Sequence, residues 1–387
     1  MNTMYKILVI NLGSTSTKVA FYEDEKCVVK NTLEHAAVDL QQIGDIMDQF
    51  DFRLRKIEDF MLINRIATTE LDAVVSRGGQ TKPLVSGIYE ICPEMLAQQA
   101  SGEYGRHPTD LGSKIAYQLA KGKTVALVVD PPVTDEFEPY ARLSGHPLIN
   151  RKSSFHALSH KATAKRYAQE NGLKYEDLNL VVVHLGGGIS VAAHRKGQMI
   201  DGDNGLDGDG PFATNRTGGL PVGDLVKLCF SGRYTCEQIL KMLNGLGGLV
   251  AYLGESDVKV VEERAKTDPT ADLCLNAMIY QVCKSIGAQA TVLEGKVDAI
   301  LVTGGIAHSE SIIEKIRRRC QYIAPMVVYP GENEMDALAN GALAGLRNIE
   351  EVKDFNYYSK LGERVVNLYT LPYKDPFSSY VPSVEDH

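Results

Sequence analysis

One arrangement of residues occurs twice in this chain and limits the folds open to it more than any other feature. The first copy is Leu8-Val9-Ile10-Asn11-Leu12-Gly13-Ser14-Thr15-Ser16-Thr17-Lys18-Val19-Ala20. The second is Val182-Val183-His184-Leu185-Gly186-Gly187-Gly188-Ile189-Ser190-Val191-Ala192. Each is an apolar strand, a polar residue, Leu-Gly, a turn of small residues, and a strand resuming in Val-Ala. A supersecondary unit that returns half a chain later implies two related domains facing each other. Glycine lets backbone N–H groups turn inward and approach a phosphate closely, and Ser/Thr hydroxyls add neutral donors. Two such turns suit one polyphosphate in the cleft between the domains.

The rest of the pattern agrees. After a third strand near Cys27–Leu33, residues 37–66 carry helical spacing and lead to a strand, Ala73–Ser76, before Arg77-Gly78-Gly79. A helix at Asp110–Lys121 and a strand at Thr124–Val129 follow, and Asp130-Pro131-Pro132 must leave the sheet because proline cannot donate to the ladder. Past the second hairpin, residues 201–219 form a polar Gly/Asp/Asn-rich loop, a length that is usually functional or disordered. A long helix at 270–293, a strand at 299–303 closed by Gly304-Gly305-Ile306, a helix at 309–319, a strand at 327–329 and a helix at 333–346 complete an α/β fold of two similar halves. We place the first domain at 1–154, completed by a helix at 336–350, the second at 155–335, and an extension at 351–387. Tyr357, Tyr358, Tyr369, Tyr373 and Tyr380 with Pro372, Pro376 and Pro382 make that extension read as an arm lying on a surface, such as a partner subunit.

Bulk properties exclude several classes. The 387 residues are enough for two cores, and a formal charge of −8 without a basic run argues against nucleic acid. The seven cysteines contain no CxxC pair and are odd in number, which suits a reducing, cytoplasmic setting. No stretch approaches the roughly 20 apolar residues of a membrane span, and no signal peptide is visible.

Four landmarks in order, Asn11–Lys18, Phe155-His156-Ala157-Leu158-Ser159-His160-Lys161, His184–Gly188 and Thr303-Gly304-Gly305-Ile306, resemble the acetokinase family of the actin-like ATPase superfold. Ser76-Arg77-Gly78-Gly79 and Asp130-Pro131-Pro132 look like its butyrate-kinase branch. The resemblance spans roughly residues 5–350. It implies two actin-like (ribonuclease H-like) domains around a nucleotide cleft. It also implies ATP- and Mg²⁺-dependent, reversible phosphorylation of a short carboxylate, with butyrate foremost, and a homo-oligomer of at least two copies. Acetate or propionate kinase is the alternative substrate class, and a nucleotide-switched actin- or chaperone-like binding protein is the alternative of another kind.

The resemblance carries roles residue by residue. Asn11, Gly13, Ser14, Thr15, Ser16 and Lys18 form the first phosphate turn, although an Asn opening a turn also caps its own backbone. Gly186, Gly187 and Gly188 form the second, where Gly187 replaces an Asn of acetate kinase and leaves the contact to backbone N–H. Arg216, in Thr214-Asn215-Arg216-Thr217-Gly218, is the foremost catalytic candidate, since a guanidinium holds a carboxylate or phosphate bidentately. Arg77 should reach the carboxylate from a strand end, although acetate kinase carries its arginine where Val74 stands. His156 would stabilise the transferring phosphoryl, with His160 supporting it; as a metal pair, HxxxH lacks the zinc-protease glutamate. His107 is either a third active-site histidine or a helix start before proline, and His184 reads as structural.

Asp130 and Glu334 are the carboxylates for Mg²⁺. Asp257, Val258 and Lys259, with Gly304, Gly305 and Ile306, would take the nucleoside. Ser76 stands where acetate kinase has a methyl-pocket valine, and the space gained predicts roughly ten-fold preference for butyrate at about 0.8 kcal/mol per buried methylene.

Overall fold

The structure, a computed structural model, describes residues 4–13, 15–43, 46–206 and 208–368. Its strands are β1 (Lys6–Leu12), β2 (Ser16–Glu23), β3 (Lys26–Glu34), β4 (Ala73–Ser76), β5 (Ile88–Glu90), β6 (Val125–Val129), β7 (Asn179–Leu185), β8 (Ile189–Arg195), β9 (Gln198–Gly202), β10 (Ala299–Gly304), β11 (Met326–Pro330) and β12 (Val352–Lys353). Among the described residues they form two sheets, ordered β12-β5-β6-β4-β1-β2-β3 and β11-β10-β7-β8-β9.

The repeat in the sequence is a repeat in topology. In the first sheet β1, β2 and β3 pair antiparallel, while β4 and β6 add in parallel on the other side of β1. In the second, β7, β8, β9, β10 and β11 take the corresponding places with the same directions. The register pairs Asn11 with Lys18 and His184 with Ser190, each one step before its turn. Asn11 and His184 are therefore equivalent positions.

Helices cover both faces of both sheets, which is why β1 and β7 read as unbroken Ile, Leu and Val. On the first sheet, Leu111 and Ile115 of the helix Pro108–Leu119 pack against Leu8, Ile10 and Leu12. Leu338, Ala339, Ala342 and Leu343 of the helix Glu334–Leu346 cover Ile7 and Val9 on the opposite face. That helix follows the last strand of the second sheet, so the chain returns to the first half and brings residues 332–334 to the junction. On the second sheet, helices Ala157–Glu170 and Pro269–Val292 take the two faces.

The extension differs from the expected surface arm. Val352 and Lys353 pair in parallel with β5, and Phe355–Leu368 is a helix. Phe355 is buried in the first core and Tyr358 lies edge-on to Tyr89 at 6.1 Å. Phe355, Tyr358 and Gly362 fall on one helical stripe, and a Cβ on Gly362 would lie 2.1 Å from the Pro83 carbonyl oxygen, so this face is packed tightly. Tyr369, Tyr373, Tyr380 and the three prolines lie outside the described residues.

Candidate active site

A cavity of about 1040 Å³ opens between the two hairpins and is lined from both halves. Asn11, Gly13, Ser16, Lys18, Arg77 and His107 come from the first half, His156, His184, Gly187 and Arg216 from the second, and Glu332 and Glu334 from the returning segment. All but His184 and Glu332 are expected site residues.

The first turn is built so that its carbonyls face inward. Arg53, fully buried, donates from Nη1 to the carbonyl oxygens of Gly13 and Ser16 at 3.0 and 3.1 Å and to Thr17 Oγ1 at 3.2 Å. The Thr15 carbonyl accepts from the His35 backbone N–H at 2.8 Å. Thr15 is exposed and does not line the cavity, which corrects its expected phosphate contact; Ser14 lies outside the described residues. Arg53 was missed by sequence reasoning, yet it sits four before Ile57 and seven before Phe60, on the buried stripe of its helix. The second turn closes on itself, Gly186 N–H donating to the Gly188 carbonyl oxygen at 3.1 Å. Only Gly187 of the three glycines lines the cavity, and a Cβ there would meet nothing within 4 Å. Gly188 instead makes room for Arg216, whose Nη1 would lie 2.1 Å from an added Cβ.

Cations converge on the cavity. Arg216 Nη1 donates to the Gly205 carbonyl oxygen at 2.6 Å, while its Nε is buried without a partner among the described residues. Burial, then the nearby Arg77, lowers the Arg216 pKa. Arg77 Nη1 lies 3.4 Å from Glu334 Oε1, and Glu334 Oε2 accepts from Asn11 Nδ2 at 2.7 Å. Burial of Glu334 favours the neutral acid, but Arg77, His184, Asn11 and Lys18 outweigh it and hold the pKa below its ordinary value. Lys18 pairs with Glu332 at 2.8 Å. Glu332 is a second cavity carboxylate that sequence reasoning passed over, two residues before the one it chose.

His156 immediately precedes the helix Ala157–Glu170 and stacks on His184, with ring centroids 3.9 Å apart. His184 therefore lines the cavity and is no remote structural residue; its equivalence to Asn11 was the available signal. Burial first, with Arg77 and Arg216 adding to it against the pull of Glu334 and Glu332, pushes its pKa down to about 4. His156 Nδ1 meets Ser190 Oγ at 2.9 Å, and His160 Nε2 meets the same oxygen at 3.0 Å, so His160 supports from behind without lining the cavity. His107 stands both at a helix start and on the cavity wall. It caps the helix Pro108–Leu119 in a reciprocal pair with Asp110, and it lines the cavity, where burial, Arg77 and Arg216 push its pKa to about 4.

Other expected contacts are not made. Arg77 and Ser76 are consecutive at the end of β4, so they point to opposite faces, and Arg77 takes the cavity. Ser76 is buried against the helix Pro108–Leu119, where a Cβ on Gly112 would lie 2.6 Å from its Oγ. The two methyl groups absent there open no room for substrate, and the ten-fold argument falls. Asp130 is buried outside the cavity, its Oδ1 accepting from Gly87 N–H at 2.8 Å, and burial raises its pKa against the pull of Lys165 and Lys161. Asp257 caps the helix Val258–Ala265 through Lys259 N–H at 2.8 Å, and Val258 is core. None of Asp257, Val258, Lys259, Gly304, Gly305 and Ile306 lines the cavity. Just beyond the two segments Ser309 Oγ donates to Glu262 Oε1 at 2.6 Å, and Gly305 faces open space.

A two-halved α/β fold with glycine turns, paired arginines and histidines around one cavity defines a phosphotransferase of the actin-like ATPase superfold. The acetokinase family model matches residues 142–337. Butyrate kinase 1 of Clostridium acetobutylicum is 49% identical over 354 residues, 91% of this chain and 100% of the relative. Butyrate kinase 2 of the same organism is 48% identical over 353 residues, 91% and 99%. Among solved structures, Porphyromonas gingivalis acetate kinase superposes with TM-score 0.73 at 20% identity, over 87% of this chain and 99% of that one. A Francisella tularensis propionate kinase superposes at TM-score 0.69 and 19% identity, with the same coverage. The chain belongs to the acetokinase family and is a carboxylate kinase.

Proposed function

We propose that the chain phosphorylates butyrate at the expense of ATP, giving butyryl phosphate and ADP, reversibly and by direct in-line transfer. The observation that carries this is the convergence of Arg216, Arg77 and His156 with both hairpin turns on one cavity. A carboxylate oxygen attacks the γ-phosphorus, the bond to the bridging oxygen breaks, and ADP departs with that electron pair. Charge spreads over the equatorial oxygens meanwhile, so the protein's task is cations and geometry. Arg216 and Arg77 hold the carboxylate and the transferring group, and His156 donates to an equatorial oxygen. The first and second turns hold the phosphates, with Lys18 adding charge.

The nucleoside lies along Gly304–Ile306 and Asp257–Lys259, where the open face at Gly305 would accept a flat base. Among the described residues no cluster of three or more His, Cys, Asp or Glu could hold a metal. Mg²⁺ keeps most of its waters and needs only one or two carboxylates, so the cavity residues Glu334 and Glu332 fit it and Asp130 does not. Carried in on the nucleotide, it would neutralise phosphate oxygens. Two relatives almost half identical over their full length are named for butyrate, which favours that acid over acetate or propionate.

The seven free cysteines suit a reducing cytoplasm, and no helix among the described residues is long and apolar enough to cross a membrane. A homo-oligomer of at least two copies is part of the proposal. The helices Val222–Cys229 and Cys236–Leu243 bury only Ile239 between them and leave Val222, Val226, Phe230 and Leu240 exposed. The test is ADP release across acetate, propionate, butyrate and valerate, with the acyl phosphate trapped by hydroxylamine. A kcat/KM maximum at butyrate supports the reading, and a maximum at acetate overturns the choice of acid. ADP release without any carboxylate would favour the nucleotide-switched alternative.

A further inference from the structure

Behind His156 a line of polar groups runs inward through the second half. His156 Nδ1 meets Ser190 Oγ at 2.9 Å, Ser190 Oγ meets His160 Nε2 at 3.0 Å, His160 Nδ1 meets His194 Nε2 at 3.4 Å, and His194 Nδ1 meets Tyr175 OH at 2.7 Å. The His160 and His194 rings are nearly coplanar, 11° apart, as an in-plane N–H···N contact requires. Ser190, His160 and His194 are fully buried, and Tyr175 is 4% exposed. We infer that Tyr175, His194, His160 and Ser190 form a one-way hydrogen-bond relay that fixes the proton of His156 on Nε2, the ring nitrogen left to the cavity.

The direction follows from counting protons. Burial keeps all three rings neutral, so each carries one N–H and one bare nitrogen. Each ring therefore donates on one side and accepts on the other. Ser190 has one proton and two lone pairs, so the line could reverse there only by leaving its buried O–H with no acceptor; otherwise it points one way or the other. Its inner end decides. Tyr175 OH has no hydrogen-bond partner but His194 among the described residues. If His194 donated to it, the phenol proton would be buried with no acceptor, the costliest kind of unmet bond. Tyr175 therefore donates to His194 Nδ1, His194 Nε2–H to His160 Nδ1, His160 Nε2–H to Ser190, and Ser190 O–H to His156 Nδ1. His156 presents an uncharged N–H to the cavity, suited to an equatorial phosphoryl oxygen and unable to act there as a base. The four residues behind it are positioning residues. What the N–H does rests on the carboxylate-kinase reading; where the proton sits does not.

The test reads the tautomers directly. In the ligand-free full chain labelled with ¹⁵N-histidine, with signals assigned by single substitution (His156→Gln for His156), the inference requires Nε2–H at His156, His160 and His194 alike. Nδ1–H at any of the three overturns it, whatever the enzyme assay shows. Ser190→Ala should then shift the His156 signals toward a tautomer mixture. It should also lower kcat by about ten-fold, with KM for ATP and carboxylate within about two-fold, as expected when one oriented donor is partly lost. Ser190→Thr, which keeps the hydroxyl, should restore both. A Ser190→Ala enzyme whose His156 spectrum and kcat are unchanged refutes the relay. So does one that loses kcat only with a fall in melting temperature while His156 keeps its tautomer.

Discussion

Gly188→Ala drives a methyl group into the Arg216 guanidinium. Built on the existing backbone, the new Cβ would stand 2.1 Å from Nη1 and 2.7 Å from Cζ, so one of them must move. Gly188 does not have a positive φ, and alanine suits its backbone; the displacement falls on Arg216. The guanidinium would give up its bond to the Gly205 carbonyl oxygen, a charged hydrogen bond worth about 1.5–3 kcal/mol if nothing replaces it. Because Arg216 lines an open cavity, water replaces much of that, and the stability loss should stay near or below about 1.5 kcal/mol. Catalysis has no such substitute. Removing one preorganised donor from a developing charge typically costs 10²-fold or more, so kcat/KM for carboxylate should fall by about 100-fold, about 2.7 kcal/mol. Gly304→Ala is the contrast. There φ is +97° and the Cβ would meet the Leu185 carbonyl oxygen at 2.2 Å, a wall that cannot swing aside, so stability should fall by several kcal/mol. The pair is read by coupled ADP release and by urea unfolding. A Gly188→Ala enzyme within about three-fold of the parent would show that Arg216 is not where the chemistry needs it.

Other outcomes follow from the same geometry. Arg53→Met should release the Gly13 and Ser16 carbonyls, raising KM for ATP several-fold and costing about 2–4 kcal/mol of stability, measured by initial rates and denaturant midpoint. Glu334→Gln should raise the Mg²⁺ concentration needed for half-maximal rate, whereas Asp130→Asn should leave that concentration unchanged; a shift in the second alone would return Asp130 to the metal. His160, His184 and His194 are all held neutral below the ordinary histidine range, chiefly by burial. The unfolded chain takes up these protons as pH falls through about 6.5 while the native state does not, so the stability they lend is full above that pH and lost beneath it. The unfolding free energy from urea titrations between pH 7.5 and 5.5 should therefore fall by an amount on the order of 1 kcal/mol per histidine per unit below 6.5, and a flat profile would contradict their burial as neutral rings.

Much of this was legible from sequence because the informative features were local. The doubled hairpin is a pattern of neighbours, and it placed Asn11, Gly187 and the cavity between two halves. Arg216, His156 and Glu334 came from short ordered words around them. What failed was direction. At the end of β4, Ser76 and Arg77 are adjacent, and nothing in the word Ser-Arg-Gly-Gly says which of two alternating faces meets the cavity. Asp130, at the end of β6, had the same ambiguity, and its φ of 41° turns it back toward Gly87. Arg53 and Tyr175 were invisible for another reason. Beyond Gln49 at the start of its own helix, Arg53 bonds to residues 36 to 40 away and Tyr175 to one 19 away, and pairing across such gaps is made by the fold. The helix Phe355–Leu368 was hidden by its composition, since tyrosines beside prolines suggested an arm where Phe355 and Tyr358 share a buried stripe.

The two halves share a topology and divide the work by what each does with its turn. Both turns close on themselves, Gly13 N–H donating to the Ser16 carbonyl oxygen at 2.9 Å and Gly186 N–H to the Gly188 carbonyl oxygen at 3.1 Å. In the first, a buried guanidinium and a backbone N–H also draw the carbonyls inward, at 2.8–3.1 Å. In the second, the turn is one residue shorter between equivalent pairs, and its Gly187 carbonyl oxygen accepts from Thr214 Oγ1 at 3.2 Å. A hydroxyl thus braces the second turn where a guanidinium braces the first, and the buried line behind His156 is Ser190, His160, His194 and Tyr175. The position equivalent to Asn11 then carries His184, stacked on His156 and not bonded to a carboxylate. An exchange at these positions should be asymmetric. His184→Asn removes the ring on which His156 rests and should lower kcat, while Asn11→Ala removes a brace on Glu334 and should act on KM for Mg²⁺–ATP. If both substitutions changed the same kinetic constant to the same extent, the division of labour between the halves would be wrong.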